Sequence, residues 1–265
     1  MKNYHTHTKR CYHAIDNEEE YVKAAIQSGY TELGFSDHTP WHYETSYHST
    51  MRMEEDKLVG YVQTLLNLRE KYQDQISIKI GLECEYFPKY MNWLKQILKD
   101  YPIDYIILGN HYYQTDELHQ YFGSPVNEYY LKAYVDHCIQ AIDTGLYSYI
   151  AHPDLVYYDP DSKLYQEEMS RLCAYAKEKD MPLEFNLLGF MSGRHYPNES
   201  FWKIASKYKN KAIIGFDAHS PDALLKDDIY QQAFNYLSSL DVELIDTIKT
   251  LKNKDNVLTK KLSRI

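Results

Sequence analysis

The sequence predicts an α/β fold in which parallel strands, each followed by a helix, close or nearly close into a barrel. Three observations carry this. Short apolar runs alternate with longer amphipathic ones along the chain, the pattern of repeated βα units. Histidines and carboxylates follow almost every predicted strand, as they do where the C-terminal strand ends of a barrel converge on one face. No Gly-rich turn follows the first strand, where the phosphate or dinucleotide loop of the competing architecture, an open doubly wound sheet, would sit.

The elements follow in order. Lys2–His5 reads as the first strand. Asp16 or Asn17 can cap a helix running to Gln27, with Glu18, Glu19 and Glu20 favourable at its positive end and Gly29 as its stop. Glu32–Ser36 is the second strand. A long connection, Thr39 to Met53, leads to a charged helix over Glu54–Tyr72. Ile76–Gly81 alternates as a third strand, and Pro88 opens a helix over Lys89–Lys99. Ile103–Leu108 is a run of the fully buried type, followed after a polar loop by a helix over Asn127–Asp143. Tyr147–Ala151 is the fifth strand, Lys163–Lys179 a helix and Pro182–Asn186 the sixth strand. A loop holding Gly189, Gly193 and Pro197 leads to a helix over Glu199–Lys207 and a seventh strand, Ala212–Phe216. A helix over Asp222–Ser238 and a polar tail, Asp241–Ile265, complete the chain.

Composition narrows the function. The 265 residues are 44% hydrophobic and 25% charged, enough for one large α/β domain spanning 1–265 with a sizeable core. Net charge is −9 and no Lys/Arg block stands out, which argues against a nucleic-acid partner. No apolar run approaches the roughly 20 residues of a membrane span, and no apolar signal core follows Met1. Cys11, Cys84, Cys138 and Cys173 show no paired spacing and read as reduced thiols of a cytoplasmic protein.

The chemistry lies at the strand ends. Side chains two apart on a strand point the same way, so His5 and His7 aim both imidazoles at one spot. His13 lies in the first loop. His38, Glu83, His111 and His152 follow the next four strands, and Asp217 and His219 follow the seventh. This mixture of imidazole and carboxylate suits Zn²⁺, Fe or Mn²⁺. It exceeds the three protein ligands of one catalytic zinc, so two or three ions are expected. Such sites activate water and clamp the oxygens of a phosphate under in-line displacement.

These residues sit in motifs that resemble, in order, those of the polymerase-and-histidinol-phosphatase (PHP) superfamily. The motifs are His5-Thr6-His7, His13, Ser36-Asp37-His38, Gly81-Leu82-Glu83, Gly109-Asn110-His111, Ala151-His152-Pro153 and Gly215-Phe216-Asp217-Ala218-His219. Within it the chain is most similar to histidinol-phosphate phosphatases of the PHP type. The resemblance implies a distorted (β/α)7 barrel with a trinuclear metal site at the C-terminal strand ends. It implies a first ion on His5, His7, Glu83 and Asp217, and a second on Glu83, as bridge, with His111 and His152. The third would take His13, His38 and His219. One departure is Gly-Asn-His after the fourth strand, where many of these phosphatases have Gly-Ser-Val-His.

The expected activity is therefore metal-dependent hydrolysis of a small phosphomonoester, L-histidinol phosphate, by a water acidified by the metals. Glu83, Asp217 and His219 would carry the catalysis. Arg52 and Arg194, in loops that open onto the same face, would fork onto phosphate oxygens. Glu85, Asp37, Glu184 and Asn186 would orient ligands. His42, His48, His119, His137 and His195 read as loop, surface or helix residues. Two further readings are a PHP-type phosphoesterase for another small phosphoester and a catalytically silent metal-binding domain.

Overall fold

A computed structural model describes residues 1–251. It is an α/β fold with parallel strands in two curled sheets. In the first, β1 (Lys2–Asn3), β2 (Glu32–Phe35), β3 (Ser77–Cys84) and β4 (Tyr105–Leu108) pair in chain order. In the second, β5 (Leu183–Asn186), β6 (Lys211–Gly215) and β7 (Glu243–Leu244) do the same. Every ladder is parallel, so each strand needs a crossover to reach the next. Helices α1 (Glu18–Gln27), α2 (Leu58–Lys71), α3 (Met91–Asp100), α4 (Glu128–Asp143) and α5 (Lys163–Glu178) lie in these crossovers. So do the five-residue α6 (Leu187–Met191), α7 (Glu199–Lys207) and α8 (Asp227–Ser238).

Side-chain caps fix where several helices start. Asn17 accepts from the Glu19 amide at 3.1 Å, Asn127 from Tyr130 at 3.2 Å and Ser162 from Tyr165 at 3.2 Å. Each satisfies an amide that the helix leaves unpaired, worth about 1 kcal/mol.

Strand alternation sorts the apolar residues into two layers. Leu33, Phe35, Ile78, Ile80, Leu82, Ile106 and Leu108 belong to a large core with Tyr21, Leu65, Leu94 and Val135 of the helices. Tyr4, Tyr105, Ile107, Tyr149, Ala151 and Ile213 form a separate small cluster on the opposite strand faces. The Tyr105 hydroxyl donates to the Tyr4 carbonyl at 2.7 Å, with the Phe35 carbonyl 3.1 Å away, which satisfies the one polar atom that ring buries.

Two expectations need correction. The fifth predicted strand, Tyr147–Ala151, forms only single parallel bridges at Ile150, to Leu108 and to Leu183. Its backbone still joins the two sheets, since Ser148 donates to Ile106, and Ile150 to Pro182. Pro182 has no amide to return, and His152 turns out of the strand at φ 31°, so no regular ladder develops. The second correction concerns the tail. Glu243–Leu244 adds β7 beside β6, and Ile245 and Ile248 pack against the small inner cluster. The Leu251 amide and the Lys249 carbonyl then bond Asp104 and Ser148. The rest of the predicted tail lies outside the described residues.

Candidate metal centre

The C-terminal ends of these strands meet. His7 donates its amide to the Ala218 carbonyl at 2.9 Å, Ala218 donates to His5 at 3.1 Å, and His38 bridges Glu83. These backbone pairings bring side chains far apart in sequence to one place. His13, His38, Glu83, His111, His152, Asp217 and His219 line one cavity of about 470 Å³, with Tyr121, Tyr196 and Arg194 on its wall. His5 and His7 are fully buried against the same carboxylates.

The innermost group is a cage of four donors. His5 Nε2 and His7 Nε2 are 3.1 Å apart. Glu83 Oε2 lies 3.4 and 3.3 Å from them, and Asp217 Oδ1 lies 3.4 and 3.2 Å. A tetrahedral ion with bonds of about 2.0–2.1 Å needs donors about 3.3 Å apart. Glu83 Oε2 and Asp217 Oδ1 are buried and lack a hydrogen-bond partner among the described residues. Orphaned carboxylate oxygens at this spacing fit a divalent cation.

The other oxygen of Glu83 faces a second group. Oε1 lies 2.9 Å from His152 Nε2 and 3.3 Å from His111 Nε2. Glu83 therefore stands between two sets of donors. On the solvent side a third set gathers: the His13 and His219 rings are 4.7 Å apart, and those of His13 and His38 are 5.3 Å apart. His38 Nδ1 also lies 3.0 Å from Glu83 Oε2.

Neighbouring groups fix the ligand side chains. His5 Nδ1 meets Glu184 Oε1 at 2.8 Å, so its Nε2 faces the cage. Asn186 donates to Asp217 at 3.1 Å, and His111 Nδ1 meets Glu85 at 3.1 Å. Asp37 accepts from the Thr8 amide and hydroxyl, at 3.9 Å from His7 Nδ1. Two of the candidate ligands, His152 at φ 31° and Asp217 at φ 48°, hold positive φ without being glycine. That conformation is costly and is held by the surrounding packing. Gly109 and Gly215 clear space: a Cβ on either would collide with a carboxylate, Glu83 at one and Glu184 at the other.

The electrostatics agree with a cation site. Burial works against charge on His5, but Asp217, Glu184 and Glu83 outweigh it and push its pKa well up. Burial also works against Glu83 and Asp217, yet the histidines hold both well below the usual carboxylate range. The cluster draws in positive charge. Burial and His7 hold His219 down, at about 3, so it is a neutral lone-pair donor here rather than a source of protons.

Arg52 departs from the expected role. Its guanidinium is 1% exposed. It grips both oxygens of Glu85 at 2.8 and 3.0 Å, and donates to Asp116 at 3.1 Å and to the Thr39 carbonyl at 3.0 Å. Buried and held in this way, it is not among the residues that line the cavity. It acts instead on Glu85, whose carboxylate it holds well below its ordinary pKa against the opposing effect of burial. Arg194 is exposed at the cavity wall, where it donates to the Tyr196 hydroxyl at 2.6 Å. His42, His48 and His195 lie off the cavity lining. Cys11, read from the sequence only as a reduced thiol, joins this cluster. Its thiol is buried in one group with His13 and His219 and in another with His7 and Asp37.

The PHP domain family matches residues 3–187. A histidinol-phosphatase of Bacillus subtilis is 26% identical over 248 residues, covering 81% of this chain and 92% of its own. A Deinococcus radiodurans protein named "probable histidinol-phosphatase" is 25% identical over 236 residues, covering 82% and 85%. A solved structure of histidinol phosphate phosphatase from Lactococcus lactis, complexed with zinc, L-histidinol and phosphate, superposes with a TM-score of 0.69. It shares 20% identity over 95% of this chain and 98% of that one, and shows likeness of fold.

Proposed function

The chain belongs to the PHP domain family, and from that premise we propose that it is a metal-dependent phosphomonoesterase hydrolysing L-histidinol phosphate to L-histidinol and phosphate. The observation that carries this is the four-donor cage of His5, His7, Glu83 and Asp217, whose spacings match a tetrahedral ion. The named activity of the Bacillus subtilis relative supplies the substrate. We read the curled parallel pairings, with Ile150 joining the sheets and Thr6 beside Ala218, as a distorted (β/α)7 barrel of one domain. The setting is the cytoplasm, where its four unpaired thiols would stay reduced. Among the described residues no helix is long and apolar enough to cross a membrane.

In this reading His5, His7, Glu83 and Asp217 would hold a first ion. Glu83 with His111 and His152 would hold a second, and His13, His38 and His219 would serve a third. Bound there, Zn²⁺, Fe²⁺ or Mn²⁺ would acidify a water and neutralise phosphate oxygens. The protein's own residues do the rest. Glu83 and Asp217 set the spacing of the site. Glu184 and Glu85 lock the tautomers of His5 and His111. Arg194 donates to the phosphate from the cavity wall. Tyr121, Tyr196 and Leu155 narrow the cavity and exclude water around the leaving group. The Gly-Asn-His departure does not touch the cavity: Asn110 points away, donating to the Tyr134 carbonyl at 3.0 Å.

Phosphate release from a panel of histidinol phosphate, nucleotides, sugar phosphates and a phosphodiester tests the reading. Histidinol phosphate should give the highest kcat/KM with Zn²⁺ or Mn²⁺ added. Preference for another phosphoester would overturn the substrate. Metal uptake without hydrolysis of any would overturn the enzyme.

A further inference from the structure

Within the metal-centre reading just given, on which this rests, we propose that the outermost ion takes Cys11 as a ligand. The third site is thus a sulfur-and-imidazole site that selects thiophilic metals. The first observation is a juxtaposition: one ligand atom each from Cys11, His13 and His219 lie within 4.8 Å of one another. The local backbone builds it. Lys9–Cys11 is a 3₁₀ turn that Thr8 starts by accepting from the Arg10 amide. Tyr12 then reverses the chain in the left-handed region at φ 68°, so Cys11 and His13 flank the bend.

The imidazoles are already oriented for a ligand. His13 Nδ1 is held by the Cys11 carbonyl at 2.7 Å, and His219 Nδ1 by the Asp217 carbonyl at 2.9 Å. Each ring therefore has its Nε2 left for an ion. Cys11 itself is fully buried, at 0% exposure, yet it sits apart from the large apolar core that holds Cys84, Cys138 and Cys173. A second observation points the same way. His7, whose Nε2 faces the inner cage, has its Nδ1 buried and without a hydrogen-bond partner among the described residues in a group with Cys11 and Asp37, where a Cys11 thiolate would accept its proton. A buried sulfur ringed by three imidazoles and a carboxylate is poorly explained as apolar filling.

The chemistry sets the preference. Thiolate is a soft ligand, so a Cys11-His13-His219 set favours Zn²⁺ or Co²⁺, whereas Mn²⁺ prefers oxygen donors. Coordination releases the thiol proton to solvent and forms one metal–sulfur bond, with no change of oxidation state. The cage of His5, His7, Glu83 and Asp217 contains no sulfur and imposes no such preference. The centre would then discriminate between metals at its outer position alone.

The test uses the full chain loaded with Co²⁺ and, separately, with Zn²⁺. The Co²⁺ protein should show a thiolate-to-cobalt charge-transfer band in the near ultraviolet. Cys11→Ser should lose that band and about one metal equivalent, while Cys84→Ser keeps both. Zinc-edge X-ray absorption on the unmutated protein guards against a variant that fails to fold. It should find a sulfur neighbour at about 2.3 Å beside nitrogen and oxygen at about 2.0–2.1 Å. Metal uptake with only nitrogen and oxygen neighbours, or a band unchanged by Cys11→Ser, would overturn this inference and leave the phosphatase reading standing. A chain that takes up no metal would overturn both.

Discussion

At the scale of single residues, Glu83 is the position on which most depends. Its two oxygens face different sets of donors, His5 and His7 on one side and His111 and His152 on the other. Removing it strips a ligand from both sets and takes away the charge that screens two nearby cations from each other. Glu83→Ala should therefore lose two metal equivalents together and abolish turnover. His13→Ala should lose at most one and keep residual activity, and elemental analysis with single-turnover assays would separate them. Loss of every ion from His13→Ala alone would show the roles to be misassigned. The two arginines should differ as well. Arg52→Ala leaves Glu85 buried without its partner, a change that costs about 3–5 kcal/mol in denaturant unfolding. Arg194→Ala should leave stability and metal content unchanged and lower kcat/KM by about 1–3 kcal/mol. The sequence made the histidines and Glu83 legible because strand alternation and ligand chemistry are local. Arg52 was misread because its partners lie 33 and 64 residues away, beyond any local pattern. Cys11 was passed over because only the reversal at Tyr12 and the approach of His219 give it company.

At the scale of elements, helices with strong periodicity and a capping residue were readable, as α1, α4, α5 and α7 show. The Tyr147–Ala151 segment was readable in its place between the sheets but not in its irregularity, since it pairs with both only through single bridges at Ile150. Nor was α6, a single turn started by Asn186, which accepts from the Gly189 amide at 2.9 Å. A polar tail concealed a strand because its short apolar run gains partners only in the fold, Val242 and Leu244 against the large core and Ile245 and Ile248 against the inner cluster. The helix α4 carries its own prediction. His137 is buried there, stacked on Tyr113 with Tyr86 and Phe122 around it. Burial lowers its pKa to about 4, with Asp136 only partly opposing. The unfolded chain protonates this histidine near 6.5, so between about 6.5 and 4 it binds more protons than the folded one. This contribution is complete above about 6.5 and is lost as pH falls towards 4, a drain on the order of 3 kcal/mol at most. His137→Phe keeps the stacking and should flatten the acid limb of unfolding free energy against pH. Parallel curves for parent and variant would show that His137 does not titrate across folding.

At the scale of the whole molecule, the centre is tied to the fold more closely than a surface site would be. All its candidate ligands but the loop residue His13 come from the ends of β1, β2, β3, β4 and β6 and from the segment after Ile150. They are held by strand pairings, and most are buried. Without cations, Glu83 and Asp217 depend on protonated histidines for compensation, a poor substitute for an ion at the centre of the cage. Because these strands converge only in the folded chain, any ion that binds there stabilises the native state by mass action. At a free concentration of 1,000 times its Kd, one ion adds about 4 kcal/mol. For a chain of this size that raises Tm on the order of 10 °C. Zinc titration of the chelator-treated protein should show a rise of this kind, reversed by chelator, with Glu83→Ala rising much less than the parent. The effect should be cooperative across the molecule, shifting the whole melting transition rather than a local probe alone, because the donors sit on most of its strands. An unchanged Tm for the parent, with metal uptake verified by elemental analysis, would mean that the donors bind without being held by the strand pairings. The convergence of the strand ends would then not be what forms the site.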